Sequence, residues 1–400
     1  MNTSLPAPSI LPATAVLEMT SRCNHACLFC SCPWFEEKSD QLSVISDRKS
    51  IPSNSSNPSN HSTESFESTA SKAQHSSAAT TRSEMEISEW KDLISTYARA
   101  GVMNFSFTGG EALLKDGLAE LIAFTAGVSA RHIETVDGEL RAWDAPPALN
   151  LLSNGKIITD DTLDLCVKYN VALSLSLPGA ETFEEHTRGG QSAEHVLATF
   201  RRAKEKGLST TAGITVTAKN FHELADTIAI ALIAGADRIL LNRFMPGGRG
   251  LAHRDLELTT DQVRQIPAIA EAVLRKANRY GHIGTELPRC LVNPDDTVHL
   301  KVGTRCSAAT DFFVVGPTGM LRVCNHSPID LVHWRNFDSL RDHPYWRKFV
   351  HKNWTPAGCE GCPSLGHDCD GGCREAAHVC NGSPDAADPV FRGTAPQIMG

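Results

Sequence analysis

Residues 13–30 read ATAVLEMTSRCNHACLFC, an apolar segment that runs directly into closely spaced cysteines. The segment ATAVLEM is typical of a buried strand, and the loop after it carries Cys23, Cys27 and Cys30. Three thiolates on one loop can hold three irons of a [4Fe–4S] cluster and leave the fourth iron open to a small molecule. The spacing therefore predicts a metal centre at the end of the first strand.

A tetrahedral zinc site is the alternative for this loop, since Cys32 or His25 could supply a fourth ligand. Cys32 lies so close behind the third cysteine that sharing one cluster is a poor fit. We therefore expect Cys32 to be a small residue packed in the loop.

The composition limits the function classes. The chain has 400 residues, of which 41% are hydrophobic, and a net charge of −8, so it can bury a large core but does not suit general nucleic-acid binding. It has no window typical of a membrane span, and its proline-interrupted N-terminus lacks the features of a signal peptide. We expect a cytoplasmic protein with no membrane partner, in which 13 cysteines indicate metal binding or catalysis rather than disulfides.

Beyond the loop, strand-like and helical segments alternate along the chain. The further apolar runs are at 102–108, 148–153, 171–177, 209–217 and 237–245. With the first strand they form six strand–helix units, and such alternation predicts parallel strands with crossover helices. We predict an α/β fold with a partial (β/α)6 barrel, closed by a helix at about 260–280, whose active site lies at the C-terminal ends of the strands.

The second predicted strand ends in FTGGEALL, which places Gly109, Gly110 and Glu111 directly after it. Two glycines let the backbone approach a ligand closely. Together with Cys-x3-Cys-x2-Cys, and with Phe29 before the third cysteine, this arrangement resembles the radical S-adenosylmethionine (radical SAM) family. The resemblance implies a TIM-like barrel whose three loop cysteines hold a [4Fe–4S] cluster with an open site, while the Gly-Gly-Glu run and Phe29 lie at S-adenosylmethionine.

The same resemblance implies further contacts to S-adenosylmethionine from Asn154, Ser176 and Arg188. A guanidinium suits recognition of a carboxylate. Each residue also has a plain structural interpretation, namely an Asn-Gly turn, a strand-end serine and a solvated arginine. In the family, reductive cleavage of S-adenosylmethionine gives a 5′-deoxyadenosyl radical that takes a hydrogen atom from an unactivated C–H bond, so the cofactor carries the difficult step.

A second group of cysteines lies in the C-terminal quarter of the chain. Its members are Cys306, Cys324, Cys359, Cys362, Cys369, Cys373 and Cys380. Their order resembles the SPASM extension, which follows the radical SAM core in enzymes that modify peptides and binds two auxiliary iron–sulfur clusters. Structural zinc is the alternative for such cysteine pairs.

The SPASM resemblance implies interleaved ligands. The expected ligands of the first auxiliary cluster are Cys306, Cys324 and Cys373, with Cys290 as the candidate fourth. The expected ligands of the second auxiliary cluster are Cys359, Cys362, Cys369 and Cys380. The chain departs from the pattern at its end, where Phe391 stands in place of a cysteine, so either Cys380 replaces that ligand or the second cluster has an open site.

These patterns divide the chain into segments. They are an N-terminal tail (1–12), a radical SAM core (13–285), a small Cys-rich SPASM domain (286–392) and a C-terminal tail (393–400). The core is interrupted by a Ser-, Asn- and Pro-rich segment (39–86), which we expect to be disordered because it has no hydrophobic period.

The function implied by the resemblance is that of an oxidoreductase, a maturase that oxidatively modifies a ribosomally synthesised peptide (RiPP) after translation, for example by cross-linking it. The expected partners are a precursor peptide and a flavodoxin- or ferredoxin-type reductant. Because the first strand begins near the N-terminus, we also expect a separate leader-peptide-binding protein or direct docking of the peptide. The alternatives are modification of a small molecule or tetrapyrrole in haem- or quinone-cofactor biosynthesis, and a non-catalytic metal-binding scaffold. Asn325 follows Cys324 where sulfatase-maturing relatives have an aspartate, which counts against formylglycine formation.

Overall fold

The computed structural model describes residues 10–35, 83–136 and 139–391. The strands in these ranges are β1 (Thr14–Glu18), β2 (Asn104–Thr108), β3 (Ala130–Val136), β4 (Glu139–Ala145), β5 (Ala148–Ser153), β6 (Val171–Ser176), β7 (Thr210–Val216), β8 (Arg238–Arg243), β9 (Tyr280–Ile283), β10 (Leu300–Val302), β11 (Phe312–Val315) and β12 (Leu321–Arg322). The α-helices in the same ranges are α1 (Ile87–Arg99), α2 (Leu118–Ala126), α3 (Asp160–Lys168), α4 (Phe183–Thr187), α5 (Ala193–Glu205), α6 (Leu224–Ala234), α7 (Thr260–Ala277), α8 (Pro344–Val350) and α9 (Arg374–Asn381). Among these helices, none has the length and hydropathy that a membrane span requires.

One large sheet organises the described residues, with the strand order β10-β9-β8-β7-β6-β5-β2-β1-β11-β12. The six predicted strands are β1, β2, β5, β6, β7 and β8, and each pairs in parallel with its neighbour in that set. Parallel pairing needs crossover connections, and the helices between these strands supply them. The predicted α/β class and the helix expected near 260–280 are therefore confirmed.

The amphipathic pattern of each element explains how the sheet and helices pack. In α1 the buried side chains include Trp90, Leu93, Ile94 and Tyr97, a spacing that places them on one helix face. In β7 alternate residues are buried from Thr210 to Val216, as expected when successive side chains of a strand point to opposite faces of the sheet. The C-terminal ends of the parallel strands thereby lie at one edge of this packed core.

The C-terminal segment shares the sheet with the barrel. β11 pairs in parallel with β1, with Val314 opposite Val16, and β10 extends the far edge beyond β9. The sequence analysis places a domain boundary at 285/286. Instead, β10, β11 and β12 continue the same sheet, because the outer edge of β1 has hydrogen-bonding groups that β11 satisfies.

Two buried residues lie within segments that the sequence analysis assigns to a tail and to an insertion. The expected disordered insertion (39–86) lies outside the described residues except for its last four, where Met85 is buried and donates its N–H to the Pro317 carbonyl at 2.8 Å. Leu11, within the predicted tail 1–12, is also buried. A single apolar residue within a polar stretch carries no periodic signal, so neither buried residue could be predicted from the sequence. Residues 393–400 lie outside the described residues.

A buried ion pair joins the first strand to the C-terminal segment. Glu18, at the end of β1, contacts Arg322 in β12, and the two residues are 2% and 1% exposed. Arg322 also donates to the carbonyl of Ser327 at 2.9 Å. Burial raises the pKa of Glu18 to about 7, against the opposing attraction of Arg322. The pair therefore holds the cysteine loop, which begins just after Glu18, against the strand that leads to Cys324.

Candidate functional site

A cavity of about 280 Å³ lies at the C-terminal ends of the parallel strands. The predicted site residues that line it are Cys23, Cys27, Phe29, Cys30, Gly109, Gly110, Glu111, Asn154 and Ser176. They come from four different strand ends, and parallel strands bring such ends to one edge. The structure therefore gathers most of the residues selected for the barrel.

The glycine-rich turn after β2 packs directly on the backbone of the cysteine loop. The N–H of Gly110 donates to the carbonyl of Thr20 at 2.8 Å, and that of Glu111 donates to Arg22 at 2.9 Å. A Cβ on Gly110 would lie 2.7 Å from the carbonyl carbon of Arg22, and one on Gly109 would lie 2.6 Å from the carbonyl oxygen of Thr20. Glycine is thus required here so that two backbone segments can meet, and the contact fixes where the cysteine loop begins.

Replacing Gly110 with alanine should displace the cysteine loop and weaken binding of S-adenosylmethionine by at least about tenfold, because a methyl group cannot fit at that contact without backbone movement. Isothermal titration calorimetry of the iron-loaded protein measures the change. Gly127→Ala is the matched control, since its Cβ would lie 3.5 Å from the nearest atom. Equal affinity in the two variants would contradict this role of Gly110.

Glu111 is fully engaged by protein donors. Its carboxylate accepts hydrogen bonds from the Ser153 hydroxyl at 3.0 Å, the Asn154 N–H at 2.8 Å and the Leu113 N–H at 3.2 Å. Burial raises the pKa of Glu111, which these hydrogen bonds oppose. Asn154 in turn donates from its side chain to Asn24 Oδ1 at 2.7 Å. Glu111 therefore orders the turn after β5 and, through Asn154, one side of the cysteine loop.

The cysteine loop is also held on its other side. The N–H of Ala26 donates to the carbonyl of Thr187 at 3.0 Å, and the N–H of Gly250 donates to the carbonyl of Cys30 at 3.0 Å. Arg249, which precedes that glycine, lines the cavity. The loop is thus clamped between the ends of α4 and the segment after β8.

The donor set of the loop fits an iron–sulfur centre. Burial raises the pKa of the thiols of Cys23 and Cys27, whereas a hydrogen bond from the Cys32 side chain lowers the pKa of Cys30 to about 7. Soft thiolate ligands select iron–sulfur clusters or zinc. Across the described ranges, no three His, Cys, Asp or Glu side chains converge on one single-ion position.

His25 and Cys32, the alternative zinc ligands, both line the cavity. The Nε2 atom of His25 is buried and has no hydrogen-bond partner in the described part of the chain. Burial, then the nearby charge of Lys156, lowers the pKa of His25 to about 4. A neutral imidazole beside the three thiols is therefore a feature of this loop.

Arg188 differs from the other predicted cofactor contacts, although Thr187, directly before it, lines the cavity. It is exposed, follows α4 with a φ of 47°, and does not line the space. The arginines that do line it are Arg243 and Arg249, which the sequence analysis did not select. Arg243 ends β8 and Arg249 follows it. Because active sites of such folds lie at the C-terminal ends of the strands, this position could have indicated both arginines.

The predicted ligands of the first auxiliary cluster lie together. Cys306, Cys324 and Cys373 are all buried. Burial, then the carboxylate of Glu286 and the thiols of Cys373 and Cys324, raises the pKa of Cys306 well above its usual value. The charges of the three thiols therefore act on one another although Cys373 follows Cys306 by 67 positions.

Cys290 is the candidate fourth ligand of the first auxiliary cluster. It lies beside predicted ligands of the second auxiliary cluster. Burial, then the thiols of Cys369, Cys290 and Cys362, raises the pKa of Cys359 to about 11. The side chain of Cys380 interacts instead with Arg254. Cys290 and Cys380 therefore have different surroundings, the first beside other cysteines and the second beside Arg254.

The predicted ligands of the first auxiliary cluster, called here the first cysteine set (Cys306, Cys324 and Cys373), adjoin the cavity. Arg243 forms a buried ion pair with Asp388, and Asp388 Oδ2 accepts the N–H of Cys373 at 2.7 Å. Asn325 and His326, which directly follow Cys324, also line the cavity. Two chain segments therefore lead from the cavity wall to thiols of this set.

Comparison with known proteins assigns the family. The model of the radical SAM superfamily matches residues 17–231. A PqqA peptide cyclase of Xanthomonas campestris pv. campestris is 23% identical over 391 residues, covering 95% of this chain and 86% of that protein. A PqqA peptide cyclase of Rhodopseudomonas palustris is 25% identical over 322 residues, covering 77% of this chain and 78% of that protein.

Solved structures share the fold. Streptococcus suis SuiB bound to S-adenosylmethionine superposes with a TM-score of 0.62 at 14% identity, covering 95% of this chain and 77% of that one. Native anSMEcpe with bound AdoMet gives a TM-score of 0.62 at 14% identity, covering 95% and 94%. The predicted partial barrel is confirmed by this likeness. With the family match across more than half of its length, the chain belongs to the radical SAM superfamily, whose enzymes use a [4Fe–4S] cluster and S-adenosylmethionine.

Proposed function

We propose that this enzyme oxidatively modifies a ribosomally synthesised peptide and that its C-terminal region binds two auxiliary iron–sulfur clusters. The relatives named above are PqqA peptide cyclases. SuiB has been solved with its precursor peptide SuiA, and anSMEcpe with the Cp18Cys peptide. These proteins support a peptide as the substrate class of this chain.

Cys23, Cys27 and Cys30 are proposed to hold the cluster of the barrel, with Gly109 to Glu111, Phe29, Asn154 and Ser176 at S-adenosylmethionine. When bound, the cluster and S-adenosylmethionine supply a 5′-deoxyadenosyl radical that can take a hydrogen atom from an unactivated C–H bond. The chain's own contribution is to position the substrate and to exclude water from the cavity. Arg188, which is exposed outside the cavity, is no longer proposed as a cofactor contact.

The observation that carries the oxidative part of the proposal is the link between the cavity and the first cysteine set. Arg243 lines the cavity and pairs with Asp388, which accepts the backbone N–H of Cys373. A substrate in the cavity would therefore lie one buried ion pair away from that cysteine set. This proximity suits an enzyme that removes an electron from its substrate after the hydrogen atom has gone.

The partners follow from the proposed chemistry. A flavodoxin- or ferredoxin-type protein is proposed as the reductant, and a precursor peptide as the substrate, recognised directly or through a separate leader-peptide-binding protein. Arg249 lines the cavity beside Arg243, whose guanidinium is paired with Asp388. The guanidinium of Arg249 suits a carboxylate of the cofactor or of an acidic peptide segment.

The test is an anaerobic assay of the iron-loaded enzyme with S-adenosylmethionine, a reductant and a precursor peptide encoded next to the gene. The expected result is 5′-deoxyadenosine together with a peptide that has lost a pair of hydrogens, observed by mass spectrometry. The matched control replaces the peptide with a scrambled sequence of the same composition. Formation of 5′-deoxyadenosine that never depends on any peptide, but rises with a small molecule or tetrapyrrole, would overturn the proposed substrate class.

A further inference from the structure

A second cavity, of about 460 Å³, lies on the large sheet at strands β8, β9 and β10. The basic residues that line it are Arg238, His282, Lys301 and Arg305. All four are exposed, and we call them the cationic surface. The acidic residue that lines the same cavity is Glu286, whose Oε1 accepts the N–H of Ser307 at 3.2 Å. Positive charge therefore exceeds negative charge in this cavity wall.

Two members of the cationic surface have no acidic partner in the described ranges. The side chains of Arg238 and Lys301 form neither an ion pair nor a hydrogen bond with any described residue. Arg305 differs from them, because its Nε lies 4.0 Å from Asp370 Oδ1. Exposed cations in a concave surface attract anionic ligands. Arg238 and Lys301 are therefore the groups available to a negatively charged ligand.

The strand register places these two cations on one face of the sheet. Arg238 of β8 lies opposite Tyr280, and Lys301 of β10 lies opposite His282. Tyr280 and His282 are two positions apart in β9, so their side chains share a face. Gly281, between them, faces α7, where its Cβ would lie 3.0 Å from a leucine side chain. The cations therefore lie on the face of the sheet that is turned away from α7.

This face leads to the cavity of the cysteine loop. Asn242, four positions after Arg238 on β8, lines that cavity. Gly284 lines the second cavity, and a Cβ there would lie 2.7 Å from Asn242 Oδ1. Four strand residues span about 13 Å. Because an extended peptide has the same rise per residue, a peptide with one residue in the cavity of the cysteine loop reaches Arg238 about four positions away.

An exposed aromatic side chain lies beside the cations. Tyr280 is 60% exposed, lines the second cavity and stacks on His299 with ring centroids 5.0 Å apart. The N–H of His299 donates to Glu271 Oε2 at 2.8 Å, which holds the stacked pair in place. A tyrosine fixed in this way offers contact area to a peptide at a small cost in conformational entropy. Such an apolar contact next to cations suits an acidic peptide better than a simple anion.

We propose that the cationic surface binds an acidic segment of the precursor peptide, with a carboxylate about four positions from the residue that enters the cavity of the cysteine loop. This inference rests on the proposed function, since it names the part of a peptide substrate that the chain recognises. Arg238 and Lys301 supply the charges that pair with the carboxylates. The chain as a whole has a net charge of −8, so its overall charge repels an acidic peptide while this surface attracts it.

The test measures binding of the precursor peptide encoded next to the gene to the iron-loaded full chain. Fluorescence anisotropy of the labelled peptide gives the Kd, without reductant so that no reaction occurs. Arg238→Glu and Lys301→Glu should each raise the Kd at least about tenfold, because the charge that attracts the peptide is reversed. Both side chains are exposed without described partners, so the fold should persist, as circular dichroism verifies.

The matched control is Lys276→Glu. Lys276 is an exposed lysine in the last turn of α7, so the variant makes the same change in net charge on the opposite side of the sheet. Its Kd should stay within about twofold of the wild-type value, because solvent screens an exposed charge that lies far from the ligand.

A charge exchange separates recognition from structural damage. The Asp or Glu residues of the peptide at the stated spacing are replaced by Lys in one peptide and by Asn or Gln in another. Both peptides should bind the wild type more weakly than the natural sequence. The Lys peptide should regain affinity with Arg238→Glu, whereas the amide peptide should bind the wild type and that variant alike.

Three results would overturn the inference. They are a precursor without a carboxylate at this spacing, equal binding of the acidic and amide peptides, and reversed variants that bind like the wild type. The proposed function has a separate readout, namely formation of 5′-deoxyadenosine that depends on the peptide. If that dependence holds while binding ignores the charges, the inference alone fails. If no peptide increases 5′-deoxyadenosine, the proposed function fails and the inference fails with it.

Discussion

Changing Cys23 to alanine should abolish production of 5′-deoxyadenosine, leaving only the level seen without enzyme. The residue is one of the three proposed cluster ligands among the loop thiols that line the cavity, and a [4Fe–4S] cluster with two remaining protein ligands is not held stably. The measurement is liquid chromatography of the anaerobic reaction with S-adenosylmethionine and a chemical reductant, together with the iron content of the purified variant.

Cys32→Ala is the matched control, because Cys32 lies on the same loop, lines the same cavity and hydrogen-bonds Cys30. It should retain 5′-deoxyadenosine production and the iron of the barrel's cluster. A Cys32→Ala variant as inactive as Cys23→Ala would contradict the assignment of three ligands and favour a four-ligand zinc-type site. Activity in Cys23→Ala would contradict the assignment outright.

Changing Arg322 to methionine should lower the free energy of unfolding by about 3–5 kcal/mol, because it leaves Glu18 buried without its partner. Both side chains are almost fully buried, and Arg322 also contributes the hydrogen bond to Ser327. Urea unfolding of the iron-free protein, followed by circular dichroism, measures the loss. The double variant Glu18→Leu with Arg322→Met should recover most of it, since replacing both partners of a buried pair with apolar residues is often neutral.

The control for the buried pair is an exposed one. Arg201 and Glu194 also form an ion pair, on the surface of α5. Arg201→Met should shift the urea midpoint little, because exposed pairs contribute little to stability. A double variant at the buried pair that is as unstable as Arg322→Met alone would show that packing around the arginine, rather than the unpaired charge, sets the cost.

The barrel could be predicted from the sequence because its signals are local. The strands β1, β2, β5, β6, β7 and β8 each combine an apolar run with a turn at its end. The loop cysteines and the Gly-Gly-Glu run follow strand ends. Since parallel strands end at one edge of the sheet, their shared cavity could be predicted from the sequence. Gly110 shows the limit of that reasoning, because its contact is with the backbone of Arg22, a partner that spacing alone does not reveal.

Other features depended on contacts distant in sequence. The pairing of β11 with β1 joins Val314 to Val16, and nothing in either segment indicates the other. Arg188 was selected by its spacing from Ser176, yet its side chain is exposed and does not line the cavity. Cys290 was assigned by its position before Cys306, whereas the fold brings the N–H of Arg289, the residue before it, to the sulfur of Cys369.

The central claim is that this chain is an iron–sulfur enzyme with one cluster in the barrel and two in the C-terminal region. The most direct measurement is the iron, sulfide and zinc content of wild-type protein purified without oxygen. The expected result is about 12 irons per chain with matching sulfide, as three [4Fe–4S] clusters require, and no stoichiometric zinc. Zinc bound in place of iron, or iron limited to about 4 per chain, would contradict the claim.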